Sequence, residues 1–590
     1  MKKRNKNRRP SVQEKKDVQR REIVLNLDDI ILSTLQRFLP PTTMEDEKDR
    51  SKICLYLLAF VTFLLLVPFI GKAYHMDDPL FIWAAKQIQH SPANPYGIYV
   101  NWYGKGQALW DIAKNPPLTS YYLALFASVT GWGEIPIHVS MMVWAIAAMT
   151  GIYSLARYLG LPPIETSLIA LMTPVFLVSS TTVMCDVMML SFWIWAIVLW
   201  MKGIDDKNRR YLVVSMLLAA AASLTKYFGI ALIPMLFAYS LVVKRRLGWW
   251  VFYFIIPAVI LAGYQWATIA LYGQGLLGDA VSYAREMKLD HYGMLTGAVG
   301  LVFVGGCLLG TVFYVPFLWS RKSLLAGGVL ITIIVVLLCN MKSMGDIPLR
   351  VSDGIRWSLV IQFTLLFIVG LNILAIAVLD LWEKRDAIST MLFLWVFGTF
   401  VFATFINWSI NGRTILPMVP AACILVMRRM ETREKLASIR RWFLAGCALI
   451  PALTLATAVA WADYTLANAG RSAAAVIEQK YNDPTRQIWF QGHWGFQYYM
   501  ERFGAKPIDF RHFTRVPGDV VVVPMNNTNL REGNPEVFQT VETFAIQPWK
   551  WLSVMQKMMG AGFYSDDFGC IPFLFGDAPL ERYEVWLIKI

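Results

Sequence analysis

Apolar runs near twenty residues long recur throughout this chain, beginning with "ICLYLLAFVTFLLLVPFI" at residues 53–70. A helix of about 20 residues crosses a hydrocarbon layer of roughly 30 Å, and within that layer it satisfies every backbone amide internally. Runs of this kind therefore fold as membrane-spanning helices. Composition agrees, since 56% of the 590 residues are hydrophobic and 16% are charged, against about 25% charged in soluble domains. The chain reads as a polytopic membrane protein whose first partner is the lipid bilayer.

Basic residues decide how such runs are threaded. They cluster in short connectors such as "MKGIDDKNRR", "VVKRRLG", "SRKS", "EKRD" and "RRMETREKLASIRR". This is the distribution of the positive-inside rule and of contact with anionic lipid. The net charge of +14 is accounted for in this way, and no nucleic-acid partner is expected. Spans are placed near 53–71, 137–157, 164–182, 187–202, 211–226, 228–243, 249–271, 294–319, 324–341, 357–382, 389–407, 413–428 and 442–461. With the N-terminus cytoplasmic, these spans leave every basic connector on the cytoplasmic side, giving about thirteen crossings. The stretch "PPLTSYYLALFASVTG" must then lie along the outer face, because a crossing there would invert everything after it.

Three regions follow. Residues 1–52 form a cytoplasmic basic tail, too long and polar for a cleavable signal peptide. Within it "EIVLNLDDIILSTLQRFL" has helical apolar spacing and suits either a membrane surface or a partner. Residues 53–461 form the transmembrane domain. Residues 462–590 lie outside, and their apolar runs shorten to strand length in "RQIWF", "GDVVVVP", "VFQTVETFAI", "IPFLF" and "YEVWLIKI". A helical piece, "WGFQYYMERFG", ends at a C-cap-like Gly504. The expected fold is thus an all-α polytopic membrane domain followed by a small extracytoplasmic α/β domain with its own core. The expected location is the cytoplasmic (inner) membrane. Of the seven cysteines only Cys570 falls in the polar C-terminal part, so neither a disulfide framework nor a CxxC metal pair is available.

This topology gathers polar residues from distant segments at the outer face. Asp77, Asp78, Lys114 and Asn115 come from the first outer segment, Asp186 opens a span, Lys226 ends one, and Arg413 begins another. Arg285, Arg350 and Arg356 sit in less distinctive outer loops. Ion or proton transport would put such charges near mid-span, where they are largely absent.

Several of these residues stand in motifs whose order is informative. The acidic pair after the first span, the later "NPPL", the Asp of "CDVMMLSFWIWAIVLW", the "LTK" that ends a span, and "GRTILPMVPA" resemble landmarks of the GT-C superfamily. More narrowly, they resemble the phospholipid-carrier-dependent transferases that include protein O-mannosyltransferases and the lipid A aminoarabinose transferase. The resemblance covers roughly residues 53–430. It implies a glycosyltransferase with a catalytic membrane domain, a polyprenyl-phosphate sugar donor and an acceptor hydroxyl outside the membrane. Whether the acceptor is a protein, lipid or glycan stays open. A polytopic transporter or flippase of lipid-linked sugars is the alternative; a non-enzymatic scaffold gives no reason for the matched charges.

The resemblance assigns the catalytic acid to the first of the paired aspartates. Both Asp77 and Asp78 are catalytic candidates; Asp78 precedes Pro79 and equally suits an N-cap with proline at N1, a role that leaves Asp77 free as the general base. A neighbouring like charge raises a carboxylate's pKa toward that task. Lys226 and Arg413 are candidates to meet the departing lipid phosphate, though residues at helix ends also snorkel to the interface. Asp186 either orients Lys226 or the substrate, or simply favours the positive end of its helix. Asn115 departs from the family pattern, which often carries His or Lys before Pro-Pro-Leu; Lys114 is placed to substitute for it. No Gly-rich nucleotide motif is present. No cofactor is expected: His75, Asp77, Asp78 and Asp186 offer carboxylates and an imidazole, but without metal-ligand spacing a divalent metal is not favoured. The aromatic "QGHWGFQYYMERFG" suits either sugar stacking or a packed turn.

Overall fold

Each apolar segment assigned to a span is helical in the protein, a computed structural model that describes residues 47–289, 295–352, 354–433 and 438–589. The basic tail and its amphipathic stretch lie outside the described residues, apart from the start of the first helix. Among the described residues, nine helices are long and apolar enough to cross a membrane, or eleven if each of two bent pairs makes one span. The bent pairs are Pro163–Leu171 with Pro174–Ser180, turned by 70°, and Thr296–Cys307 with Leu309–Leu318, turned by 76°. The other two expected spans are helical but fall short of a full crossing. One, Arg209–Thr225, has 17 residues; the other is interrupted by a 3-10 turn at Leu416–Met418, where Pro417 cannot donate to the helical ladder. The tally of about thirteen crossings thus exceeds what length and composition support.

The elements that frame the site are helices α1 (Glu47–Leu66), α2 (Asp78–His90), α3 (Leu118–Thr130), α4 (Asp186–Asp205), α5 (Arg209–Thr225), α6 (Leu276–Leu289), α7 (Ser438–Tyr481) and α8 (Trp494–Arg502). At 13 residues α3 is about 20 Å long, too short to cross, and it packs beside α2. Helix α7 contains 44 residues and runs without interruption through 461, so the membrane segment and the C-terminal part share one helix.

In the C-terminal part, strands β1 (Ile488–Phe490), β2 (Lys506–Pro507), β3 (Val520–Pro524), β4 (Phe538–Ile546) and β5 (Glu581–Ile588) form one sheet. Its order is β4-β5-β3-β1-β2, antiparallel across β4, β5 and β3 and parallel from β3 through β1 to β2. The run "VVVVP" becomes the central strand β3 with every residue buried, as β-branched side chains covered on both faces should be. The edge strand β4 is mostly exposed. Helix α8 closes near Gly504, whose φ of 96° lets the Gly504 and Ala505 amides turn back to the carbonyls of Glu501 and Met500. "IPFLF" contributes only the short strand Leu574–Phe575, paired with Leu552–Ser553 outside the main sheet.

Successive residues of β3 serve different cores. Val521 and Val523 pack with Ile508, Trp586 and Ile588 in a small cluster. Val520 and Val522 join Phe490, Tyr583 and Val585 in the main core, which is continuous with the membrane helices. The sheet is therefore half of a layer shared with the helical bundle.

Candidate active site

The first turn beyond α1 carries the acidic pair. Met76 adopts φ 44°, a left-handed conformation rare for a residue with a side chain, and this bends the chain just before Asp77. Asp77 then occupies the N-cap position of α2 without making a side-chain cap bond. Asp78, expected as the N-cap, is instead the first helical residue. It is 0% exposed, and its Oδ2 accepts from the His75 amide at 2.8 Å while Oδ1 accepts from the Val183 amide at 2.9 Å. Both oxygens of the second aspartate are thus engaged with backbone donors. It ties this turn to the segment that opens α4. Burial pushes the Asp78 carboxyl up to about 7 against the pull of those hydrogen bonds.

Asp77 faces a chain of alternating charges. Arg413 Nη2 donates to its Oδ2 at 2.7 Å; Arg413 Nη1 lies 3.8 Å from Asp186 Oδ2; Lys226 Nζ donates to Asp186 Oδ1 at 2.6 Å. Four residues far apart in sequence are therefore joined through direct ion pairs. Local structure explains each position. Asp186 is the first residue of α4, and Lys226 follows the last residue of α5. Arg413 sits on a short helical turn, Gly412–Ile415, capped by Asn411 Oδ1 accepting from the Thr414 amide at 3.0 Å. Asp186 is 1% exposed, Arg413 12% and Lys226 14%, while Asp77 is 32% exposed. Charges buried this deeply persist only with partners at hand. The less buried Asp77 is held by Arg413 through Oδ2.

Lys226 and Arg413 also line a cavity of about 540 Å³, together with Lys114, Asn115, Arg285 and Lys288. Phe228, Phe402, Phe405 and Trp408 supply part of its apolar wall. The lining thus combines several cations with a largely apolar surface. Lys114 is already paired, at 2.6 Å to Asp279 and 3.7 Å to Asp111, and its ammonium lies 5.1 Å from the centre of the Tyr283 ring. Asn115 accepts from the Tyr96 hydroxyl through its backbone carbonyl at 2.6 Å, and the residue lines the cavity. Lys288 is buried on α6, and burial holds its ammonium below the usual lysine range. Arg350 and Arg356 are not on this wall. Arg350 donates to the Cys339 carbonyl at 3.2 Å, and Arg356 to those of Met558 and Met559 at 3.1 and 3.2 Å.

Among the described residues, no three His, Cys, Asp or Glu side chains converge to hold a metal ion. His75 turns to Asp463, with Nε2 3.6 Å from its Oδ1. The aromatic turn before α8 is packed: Trp102 lies 4.6 Å from His493 and Phe568 5.4 Å from Trp494, centroid to centroid. Three further residues adjoin the ion-pair chain and were not legible as site residues: Lys72, Asp463 and Tyr564. Their one sequence signal is a lone acid in the apolar helix "TAVAWADYTLANAG".

Residues 114–266 match the family model described as dolichyl-phosphate-mannose-protein mannosyltransferase. No curated protein matches. Among solved structures, the chain is similar to ArnT from Cupriavidus metallidurans bound to undecaprenyl phosphate, at 12% identity over 80% of this chain and 93% of that one, with a TM-score of 0.39. The apo state of the same protein gives 13% identity over 80% and 92%, also at 0.39. The arabinofuranosyltransferase AftD from Mycobacteria gives 12% identity over 91% of this chain and 40% of its own length, at 0.39. The family match spans Lys114, Asn115, Asp186 and Lys226 of the site, and over those residues the chain is similar to that family.

Proposed function

We propose that the chain transfers a sugar from a polyprenyl-phosphate donor to an acceptor hydroxyl at the extracytoplasmic face of the cytoplasmic membrane, inverting the anomeric centre. The observation that carries this reading is the Asp77–Arg413–Asp186–Lys226 chain, two of whose members line a cavity walled by further cations and by apolar side chains. The lipid tail occupies the apolar wall, and its phosphate meets Lys226 and Arg413. The acceptor oxygen attacks the anomeric carbon from the face opposite the phosphate. Its proton passes to Asp77, and the electron pair of the broken carbon–oxygen bond leaves on the phosphate, where the two cations stabilise it. Arg413 holds one Asp77 oxygen and leaves the other for the proton. The N-terminus is cytoplasmic in this reading, and no metal takes part.

A flippase of lipid-linked sugars draws some support from the two bent spans, since transporters bind their cargo at broken helices. Yet the hydroxyls at the breaks turn back on their own backbone: Thr173 donates to the Ala170 carbonyl and Thr311 to that of Leu308, both at 2.8 Å.

The test uses purified protein in lipid nanodiscs with a panel of radiolabelled polyprenyl-phosphate hexoses and pentoses, plus membrane extract as acceptor source. Asp77→Asn is expected to bind polyprenyl phosphate within about threefold of the wild type while losing about a hundredfold or more in turnover. Equal donor turnover by both proteins would sink the assignment of Asp77. A flippase would leave the donor intact and move it across vesicles equally well with either residue.

A further inference from the structure

Beside Arg413 lies a cluster of polar groups that does not line the cavity. Asp463 of α7 is 0% exposed and pairs with Lys72, which is equally buried. The Tyr564 hydroxyl donates to the same carboxylate, 2.9 Å from Oδ1 and 3.0 Å from Oδ2. Lys72 Nζ also reaches Thr181 Oγ1 at 3.3 Å, on the segment leading to Asp186. One carboxylate thereby gathers the chain that carries Asp77, the approach to Asp186, and the C-terminal segment around Tyr564.

That C-terminal segment is fastened to the Arg413 turn. The Gly412 amide donates to the Phe563 carbonyl at 2.7 Å. Ile410 and Asp566 exchange two bonds, backbone to side chain at 2.8 Å and backbone to backbone at 2.9 Å. The Tyr564 ring lies 5.8 Å from the Arg413 guanidinium and packs edge-on against His75 at 5.5 Å. A buried ion pair is weak as a source of stability, because desolvation offsets much of its attraction. Its value lies in fixing geometry, and transfer requires reacting groups held to within a fraction of an ångström.

We propose that Asp463 and Tyr564 are positioning residues of the transfer reaction: they hold the Asp77 turn and the Arg413 guanidinium in register without touching substrate. The proposal rests on the transferase reading. Asp463→Asn would strand the Lys72 ammonium in the interior, so Tyr564→Phe carries the test, because it keeps the ring beside Arg413 and removes only the hydroxyl. Turnover and KM for the polyprenyl-phosphate sugar are measured beside the thermal midpoint and the affinity for polyprenyl phosphate alone. Tyr564→Phe is expected to lower kcat about tenfold, with KM, affinity and melting close to wild type. Tyr564→Leu, which also removes the ring, is expected to weaken polyprenyl phosphate binding about tenfold as well. The proposal is overturned if Tyr564→Phe keeps wild-type kcat, or if kcat falls only in proportion to lost folded protein. Wild-type protein that turns over none of the donors overturns the transferase reading and this proposal with it.

Discussion

Asp78 is shut away from solvent with a carboxyl raised to about 7, while His75, three residues earlier, is lowered by burial to about 4 despite the pull of Asp463. The two groups give stability opposite dependences on pH. Folded Asp78 keeps a proton that the unfolded chain releases near pH 4, so its contribution is present in acid and is lost as pH rises through about 7. Folded His75 stays neutral where the unfolded imidazole takes up a proton, so its contribution is present above about 6.5 and is lost as pH falls toward 4. Asp78→Asn removes the first dependence and leaves the second. The thermal midpoint of this variant, relative to wild type, is expected to rise between pH 5 and pH 8, by on the order of a few degrees. A difference that is flat over this range would show that the carboxyl stays ionised in its burial site. Asp77, one residue away, shares none of this enclosure: it is 32% exposed and pairs with Arg413.

Helix α8 reaches the acidic turn through its second residue. A Cβ on Gly495 would stand 1.9 Å from the Tyr74 carbonyl oxygen and 3.2 Å from the His75 Cα, backbone atoms with no freedom to swing aside. Gly495→Ala must therefore push the Tyr74–Asp78 segment away from α8. Transfer is expected to fall about tenfold or more, while helix content by circular dichroism stays at the wild-type level; unchanged turnover would mean the turn tolerates the shift. Such contacts mark the limit of what the sequence makes legible. The spans, β3 and β5, and the turn at Gly504 follow from local apolar period and local backbone chemistry, so they could be read directly; that α3 does not cross followed from the sidedness of the basic connectors. Asp77, Asp186, Lys226 and Arg413 were recognisable because each sits where an apolar run meets a connector. Asp463 lies within a helix and gains its meaning from Lys72, 391 positions away, and from Tyr564, 101 positions on. No periodicity encodes pairings of that range. Asp78 looked like a cap because Asp-Pro commonly opens a helix; the His75 amide and, from another segment, the Val183 amide redirect it.

At the scale of the whole molecule, the C-terminal part depends on the helices that precede it. Its length suggested an independent core, and it does have one in Ile508, Val521, Val523, Trp586 and Ile588. Five buried residues make a small core, since each contributes about 1.5–3 kcal/mol when fully buried, against a backbone entropy cost of about 1–2 kcal/mol for every residue ordered. The opposite face of the sheet, with Phe490, Val520, Val522, Tyr583 and Val585, is covered only within the joint core. Cut from α7 and the acidic turn, that face would meet water, and the segment that supplies Tyr564 and Asp566 would lose its partners on Gly412 and Ile410. Residues 482–590 expressed alone are therefore expected to give a non-cooperative melt, poor amide dispersion by NMR and binding of a hydrophobic dye. The complementary fragment 1–481 is expected to insert in membranes yet turn over no donor, because its Arg413 turn lacks the Phe563 and Tyr564 contacts. A dispersed spectrum and a sharp melt for 482–590 would identify the part as autonomous. The shared layer would then be a docking surface between two finished domains, and the dependence of catalysis on the far end of the chain would have to come from Tyr564 alone.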